Sequence, residues 1–437
     1  MNQNSIEIRR EARVLFVDMN SFFARCEQQT NFWLRGRPVA VCVYTGQYGC
    51  AIALSVEAKK AGVKTGMRLN EAMRICPNLV PVESHPQRYR DFHKKIIGIL
   101  KRYCDDVVPK SIDEAIVNLT NYRHLHPDPV KVAKKIQQDI RREVGDWLTC
   151  SIGIAPNTWL GKLGSSIGGV GQIVEINPEN IDQHLKKLRL RDLPGIGGQM
   201  EKRLLAAGIM DPLQMRNTEA HVLKRIFKSV EGTYWHYRLN FGEVGMFGEN
   251  YKHMQAMRQL SAANRSSPAF VESLFRTLCL TLERRMVGHN FYCHSAGFAV
   301  TYTDGTRWED GFRLSIPVQD GISLMRMFEK RIRDFETQCP GRQILNGEIS
   351  SMRAAVGDFM NTGEMNYSLF EDIDQQEKAR KTLYDLKKRF GSEKLMRASE
   401  VYDGFVVKDV IGFGSVKDLT EQDYLDAVGG DAGAHRR

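Results

Sequence analysis

The sequence has no run of about 18 apolar residues, so no segment reads as a membrane-spanning helix. Its first residues, MNQNSIEIRREAR, are polar and contain no apolar signal-peptide core, which points away from secretion and toward the cytoplasm. Cysteine is sparse, nine in 437 residues, and none stands in a Cys-x-x-Cys pair. Neither a zinc site nor a disulfide framework is expected from that pattern. His289, Cys293 and His294 lie close together, but adjacent ligands in a strand with no fourth partner make a poor metal site. No internal repeat is present. Apolar residues at 42% and charged residues at 26% exclude a disordered or fibrous chain. The length exceeds what one hydrophobic core serves, so two to four domains are expected.

What is abundant is positive charge. The chain carries a net +10, distributed as +7 over residues 1–179, +4 over 180–248, −1 at Glu249 and +3 over 250–358, whereas residues 359–437 carry −3. A basic body with an acidic tail fits a polyanionic partner, nucleic acid before membrane, and equally fits a basic soluble protein with no such partner.

Short apolar runs alternate with helical patterns in the first part of the chain. Arg13–Asp18 (RVLFVD), Pro38–Tyr44 and Cys150–Ala155 read as strands, and Val107–Leu119 as a strand, a carboxylate pair and another apolar stretch. Helices are expected over Ser21–Gln29, Val56–Ala61, Leu69–Cys76, Tyr89–Tyr103, Val130–Val144 and Trp159–Ile167. This alternation describes an α/β or α+β domain. Residues 179–243 read as all-helical and 244–257 as a linker. Beyond it, helices at Ser273–Val287 and Ile322–Phe335 accompany strands His294–Thr303 and Thr306–Ile316, joined at Asp304-Gly305. The tail has one charged helix, Gln375–Phe390, before a Gly-rich end.

Two motifs carry chemistry. Asp18 closes an apolar strand, and Asp113-Glu114 interrupts another. A buried carboxylate is costly by several kcal/mol unless paired or metal-bound. Three carboxylates on one site would favour a hard cation with oxygen ligands, Mg²⁺ above all. Adjacent strand residues face opposite ways, so Asp113 and Glu114 can share a site only at a turn, a bulge or a sheet edge. The alternative is a set of exposed acids at strand ends. The second motif is Leu193–Leu204 (LPGIGGQMEKRL), a helix-hairpin-helix pattern. Its glycines, Gly195, Gly197 and Gly198, would expose backbone amides to phosphate oxygens, with Lys202 and Arg203 one turn on. The alternative is a tight turn between packed helices.

FVDMNSFFARCEQ, GRPVAVCVY, EAKKAGVKTGM, SIDEA, CSIGIAPN and LPGIG follow one another in the order seen in Y-family translesion DNA polymerases. Over roughly residues 12–400 the chain resembles that family, with features of both its bacterial polymerase IV and polymerase V branches. The resemblance implies a multidomain α+β right hand. The palm would be residues 12–21 and 85–175, the small fingers 22–84 and the helical thumb with the helix-hairpin-helix 176–243. An α+β little finger (250–358) and a C-terminal tail (359–437) would follow. It implies DNA-directed DNA polymerase activity past damaged bases, with primer-template DNA and dNTP as substrates.

Asp18, Asp113 and Glu114, with the Met19 carbonyl, would hold two Mg²⁺ ions, Mn²⁺ being possible. One ion would activate the primer 3′-hydroxyl, and the other would neutralise the triphosphate. Phe23 would be the steric gate against a ribose 2′-hydroxyl, with Phe22 beside the same nucleotide. Lys59 would reach a phosphate as a point charge. Val43, Cys50 and Gly66 would form a small roof over the templating base, leaving room for a lesion. Core packing is the alternative for both phenylalanines, and a solvated helix position for Lys59.

In the little finger, Arg258, Arg265, Arg307 and Arg313 would grip the duplex through salt-sensitive contacts. Asn366, Tyr367, Ser368, Leu369 and Phe370 resemble a sliding-clamp docking peptide, with Leu369 and Phe370 as apolar anchors; packing of the tail is the alternative. SOS accessory proteins are further possible partners. Trp147, Trp159 and Trp235 read as core or domain-surface packing.

The chain departs from the family pattern at three places. Val56 stands where many relatives have a triphosphate-binding Tyr. Ser166–Gly171 (SIGGVG) offers no cation where relatives have a palm Lys. Asn20 replaces a second acid. Losing a charged phosphate contact costs about 1.5–3 kcal/mol, so weak nucleotide binding is expected. Two rival readings remain at this level: a non-catalytic DNA-binding accessory relative, and a helix-hairpin-helix glycosylase or nuclease.

Overall fold

The computed structural model describes residues 6–46, 49–244, 252–361, 373–390 and 395. The docking-peptide residues 366–370 lie outside them. The chain divides into two compact units, one built mainly from residues 1–247 and the other from 248–409.

In the first unit, the most apolar segments assemble the main sheet. Strands β1 (Val14–Met19), β5 (Val107–Pro109), β6 (Glu114–Asn118), β7 (Cys150–Ala155) and β8 (Ile173–Glu175) lie in the order β5-β6-β1-β7-β8. The pairs are antiparallel except β7 with β8. β1 is central, as expected for a strand whose apolar residues are buried on both faces. A smaller sheet has the order β3-β2-β4, from β2 (Val39–Cys42), β3 (Ala51–Leu54) and β4 (Val80–Glu83). Its core mixes small residues, among them Ala40, Cys42, Ala51 and Ala58, with Leu54, Leu69 and Leu79. Residues 181–239 form short helices around Leu204, Met215, Leu223 and Leu239. Trp159 ties them to the sheet's helix: its Nε1 donates to the Pro194 carbonyl (3.0 Å), and its ring meets Trp235 edge-on at 5.1 Å.

The second unit is a four-stranded antiparallel sheet in the order β11-β10-β12-β9. Its strands are β9 (His253–Gln259), β10 (Phe291–Tyr302), β11 (Arg307–Val318) and β12 (Ile349–Asn361). The core formed with helices Pro268–Gly288 and Gly321–Gln338 includes Met254, Phe275, Leu278, Phe298, Phe328 and Met352. At the β10–β11 hairpin, Gly305 takes φ +85° and Asp304 Oδ1 accepts from the Thr306 N–H.

Three sequence expectations need correction. Residues 253–257 belong to β9, an edge strand, and not to a linker. Only Met254 and Ala256 are buried in it, so its period is thinly marked among polar residues. The short β8 was not anticipated in a stretch rich in glycine. The helix expected over Val130–Val144 is α-helical for Pro129–Asp139 and widens to a π turn over Ile140–Val144. All nine cysteines are free thiols. No described helix is long and apolar enough to cross a membrane.

The helix Thr158–Ile167 lies unusually close to the main sheet, because glycine faces glycine. A Cβ on Gly153 would stand 1.9 Å from the Gly161 carbonyl oxygen and 2.5 Å from the Ser165 amide nitrogen. Backbone cannot yield as a flexible side chain can. Gly153→Ala is therefore expected to destabilise the protein by about 1–3 kcal/mol or more, read as a lower urea midpoint at unchanged slope.

Candidate active site

Asp18 sits near the end of β1, directly opposite Glu114 on β6. Paired residues of adjacent strands share a face, so two carboxylates meet there. Asp113 reaches the same place from a turn. The Ser111 carbonyl accepts from the Glu114 N–H (3.4 Å), and the Glu114 carbonyl accepts from Lys110 (2.8 Å). The Met19 amide donates to the Asp113 carbonyl at 2.8 Å, which ties the turn to β1. The three acids thus come together because Asp113 lies just before the strand and not within it.

The cation found missing at Ser166–Gly171 comes from elsewhere. Lys162 Nζ donates to Asp18 Oδ2 at 2.6 Å and to Glu114 Oε1 at 2.5 Å, and lies 5.0 Å from the centre of the Phe16 ring. Its helix can bring it there because Gly161 packs on Phe16 and Gly153. A signal existed in the sequence. Lys162 is the single charge in an otherwise small and apolar helix, TWLGKLGSSI.

The Ser166–Gly171 segment has a different structural partner. Gly169 and Gly171 take φ +79° and +73°. Asn20 Oδ1 accepts from the Gly171 N–H (3.0 Å) and from Thr149 Oγ1 (3.1 Å), while its Nδ2 donates to Ser151 Oγ (2.9 Å). Ser151 in turn donates to the Gly169 carbonyl at 2.6 Å. A neutral amide is required here, since a carboxylate could not donate to Ser151 while accepting from the turn.

Electrostatics follow from crowding. Burial pushes the Asp18 carboxyl above its ordinary value, with Glu114 adding to the rise and Lys162 and Lys59 opposing it. Burial likewise raises Asp113; Glu114 and Asp18 push the same way, against the hydrogen bond from Ser111 Oγ (2.6 Å). Lys162 is raised: loss of water pulls it down, but Asp18 and Glu114 outweigh that. Lys59 remains largely exposed, yet loss of water around its ammonium lowers its pKa. Asp18 and Asp113 oppose that shift, which places Lys59 within electrostatic reach of both acids.

The donor set is chemically suited to a hard dication: three carboxylates whose negative charge is incompletely compensated. Among the described residues, no three His, Cys, Asp or Glu side chains are arranged as a metal-binding group. Lys162 holds one oxygen each of Asp18 and Glu114, which leaves the other oxygen of each carboxylate for a cation.

Phe22 and Phe23 begin the helix Phe22–Thr30 and are both nearly covered, at 3% and 6% exposure. Phe23 stacks on Tyr89. Cys50 and Gly66 adjoin, with Cys50 Sγ donating to the Gly66 carbonyl (3.3 Å), and Val43 is half-buried just after β2. Gly195 needs to be glycine: it has φ +100°, and a Cβ would lie 3.2 Å from Trp235. Gly197 precedes the helix Gly198–Ala206, and its carbonyl accepts from the Met200 and Glu201 amides at 3.0 Å, so only the amides at the very start of the helix point out of it. Lys202 and Arg203 are exposed on it.

The four arginines expected to grip DNA, Arg258, Arg265, Arg307 and Arg313, do not share one face. Arg258 is in register with Met352 and has the parity of buried Met254 and Ala256, on the helix side of the sheet. Arg307 and Arg313 have the opposite parity and pair with Glu309 and Asp358. Arg265 ends the short helix Ala262–Arg265. Cys293 is buried and bonds to the Val318 carbonyl at 3.1 Å, so it is not poised as a metal ligand.

The architecture is the Y-family DNA polymerase fold. The chain is similar to a Y-family DNA polymerase chimera of Dbh and Dpo4, with TM-score 0.67 and 22% identity over 80% of this chain and 99% of that one. An insertion ternary complex of Dbh DNA polymerase is similar with TM-score 0.57, at the same identity and coverage. Residues 17–166 match the impB/mucB/samB family. The fold is thus shared with Y-family DNA polymerases, and the sequence match covers about a third of the chain. Among curated relatives, DNA polymerase IV of Sulfurisphaera tokodaii is 30% identical over 52% of this chain and 64% of the relative. DNA polymerase IV of Streptococcus pyogenes is 36% identical over 45% of this chain and 54% of the relative. The chain thus spans between about half and just under two thirds of the length of these relatives.

The raised carboxyls make the site a source of instability. The folded protein holds the Asp113 proton more tightly than the unfolded chain does. The stability gained from it is full below the ordinary value of 3.8 and is lost as pH rises through the raised folded value. Asp113→Asn removes that loss. Without divalent metal, it is expected to raise Tm near pH 7 by about 2–4 °C, with the gain vanishing near pH 3. A calorimetric pH series checks this.

Proposed function

We propose that the chain is a template-directed DNA polymerase of the translesion type, transferring a deoxynucleotide to a primer 3′-hydroxyl opposite damaged bases. The observation that carries this reading is the junction of Asp18, Asp113 and Glu114 across β1 and β6, with Lys162 between two of them. A bound divalent metal, Mg²⁺ by donor type and Mn²⁺ as a substitute, supplies Lewis acidity toward a hydroxyl and a triphosphate. Asp18, Asp113 and Glu114, with the Met19 carbonyl, would hold it. Were Asp18 and Glu114 to hold that metal, Lys162 would stand beside the same site, and its ammonium would be able to meet a phosphate. Lys59 brings a second cation from the helix Val56–Lys60. Phe23 excludes a ribose 2′-hydroxyl, Phe22 packs beside the nucleotide, and Val43, Cys50 and Gly66 cover the templating base with little bulk.

In this reading residues 12–21 and 85–175 are the palm, 22–84 the fingers, 176–243 the thumb and 250–358 the little finger. The amides around Gly195, Gly197 and Gly198, with Lys202 and Arg203, hold the DNA backbone without reading sequence. Arg265, Arg307 and Arg313 add contacts, for which the last two exchange an internal carboxylate for a phosphate. Arg258 acts from the other side of the sheet or through its neighbours. Residues 366–370 dock on a sliding clamp, SOS proteins are accessory partners, and the protein works in the cytoplasm on the nucleoid. The reading as a non-catalytic relative rested on a missing cation, and Lys162 removes that ground.

Primed DNA with dNTPs and Mg²⁺ tests the proposal. Extension is expected for the wild type and none for Asp113→Ala with Glu114→Ala, which should still bind DNA; a folded wild type that never extends overturns it. Lys162→Met is expected to lower kcat/KM for dNTP about 10–100-fold, the equivalent of one charged contact, in single-turnover kinetics.

A further inference from the structure

Phe23 is held by a chain of contacts that the transfer reaction does not require. Phe23 and Glu27 lie one turn apart on the same helix and face the same way. Tyr89, on the helix Pro86–Lys101, touches both. Its ring stacks on Phe23 with centroids 4.3 Å apart and planes 12° from parallel. Its hydroxyl donates to Glu27 Oε1 at 2.7 Å and accepts from the His85 N–H at 3.1 Å. Tyr89 has no exposed surface, and Glu27 is 2% exposed. Arg88 pairs with Glu27 Oε2, and His85 Nδ1 lies 3.0 Å from Oε1.

Burying a carboxylate is unfavourable, and an apolar residue would pack between these helices at less cost. What the carboxylate adds is direction. Ring stacking alone fixes the separation of two aromatic planes but lets them slide. A hydroxyl bonded at a defined point stops Tyr89 from sliding, and Tyr89 then fixes the ring stacked on it. Exclusion of one hydroxyl depends on ring placement at well under 1 Å, a scale on which misplacement is costly.

We infer that Tyr89 and Glu27 are positioning residues for Phe23 and set discrimination between deoxyribonucleotides and ribonucleotides. This rests on the polymerase reading above. The readout is the ratio of kcat/KM for dNTP to that for the matching rNTP, in single-nucleotide incorporation by the full chain. A change in fold stability alone scales both substrates together and leaves the ratio unmoved.

Tyr89→Leu, which removes the ring, is expected to lower the ratio about tenfold or more. Tyr89→Phe keeps the ring and loses the bond, and Glu27→Gln weakens the anchor; each is expected to lower the ratio about two- to fivefold. Phe23→Ala should lower it most, and Phe23→Ala with Tyr89→Leu should match Phe23→Ala alone, since Tyr89 acts through Phe23. An unchanged ratio in Tyr89→Phe and Glu27→Gln, while Phe23→Ala collapses it, overturns the inference. So does a double variant less selective than Phe23→Ala, or a Phe23→Ala ratio equal to the wild type's. If Tyr89→Leu does not fold, Tyr89→Phe and Glu27→Gln decide the matter. A wild type that incorporates neither nucleotide defeats the polymerase reading instead.

Discussion

Two carboxylates facing each other on neighbouring strands repel, and the site is organised around that repulsion. Asp18 and Glu114 are register partners, and Asp113 adds a third negative charge at the turn. In the structure Lys162 offsets much of it by bonding to both. The ammonium sits there only because its helix lies almost in van der Waals contact with the sheet backbone, which Gly153, Gly161 and Gly164 permit. A packing detail on the buried side of the helix therefore governs the electrostatics at the carboxylates. Neither can change without the other.

The same economy of space explains the departures from the family pattern. A lysine expected near Gly169 is replaced by a turn whose left-handed glycines carry no side chain. That turn is gripped by Asn20, at the position where an acid was expected, and by Ser151. The two departures are thus one structural unit. Removal of the acid and of the distant cation leaves a neutral hydrogen-bonded network, and the charge balance passes to Lys162 and Lys59.

Much of the first unit was legible in the sequence because its strands are short apolar runs. The strand Cys150–Ala155 forms over the expected residues, and Asp18 stands near the end of its strand as the pattern implied. The condition that Asp113 and Glu114 could meet only outside a regular strand was also legible, and the Ser111–Glu114 turn satisfies it. Less was legible in β9, where Met254 and Ala256 alternate with polar residues at a sheet edge. The division of Arg258 from Arg307 and Arg313 was invisible, because strand parity across three ladders depends on register.

The sequence by itself determined the α+β class, the basic body, the motif order that resembles Y-family polymerases, and which acids are candidates. These depend on local periodicity, composition and residue identity, all of which survive being written in one dimension. Only the tertiary structure decided that Lys162 neutralises Asp18 and Glu114, that Asn20 holds the Gly171 turn, and that Tyr89 and Glu27 brace Phe23. Each of those contacts joins residues far apart in the chain. Each depends on how closely two elements approach each other, which is set by the packing of both surfaces together and cannot be read from either alone.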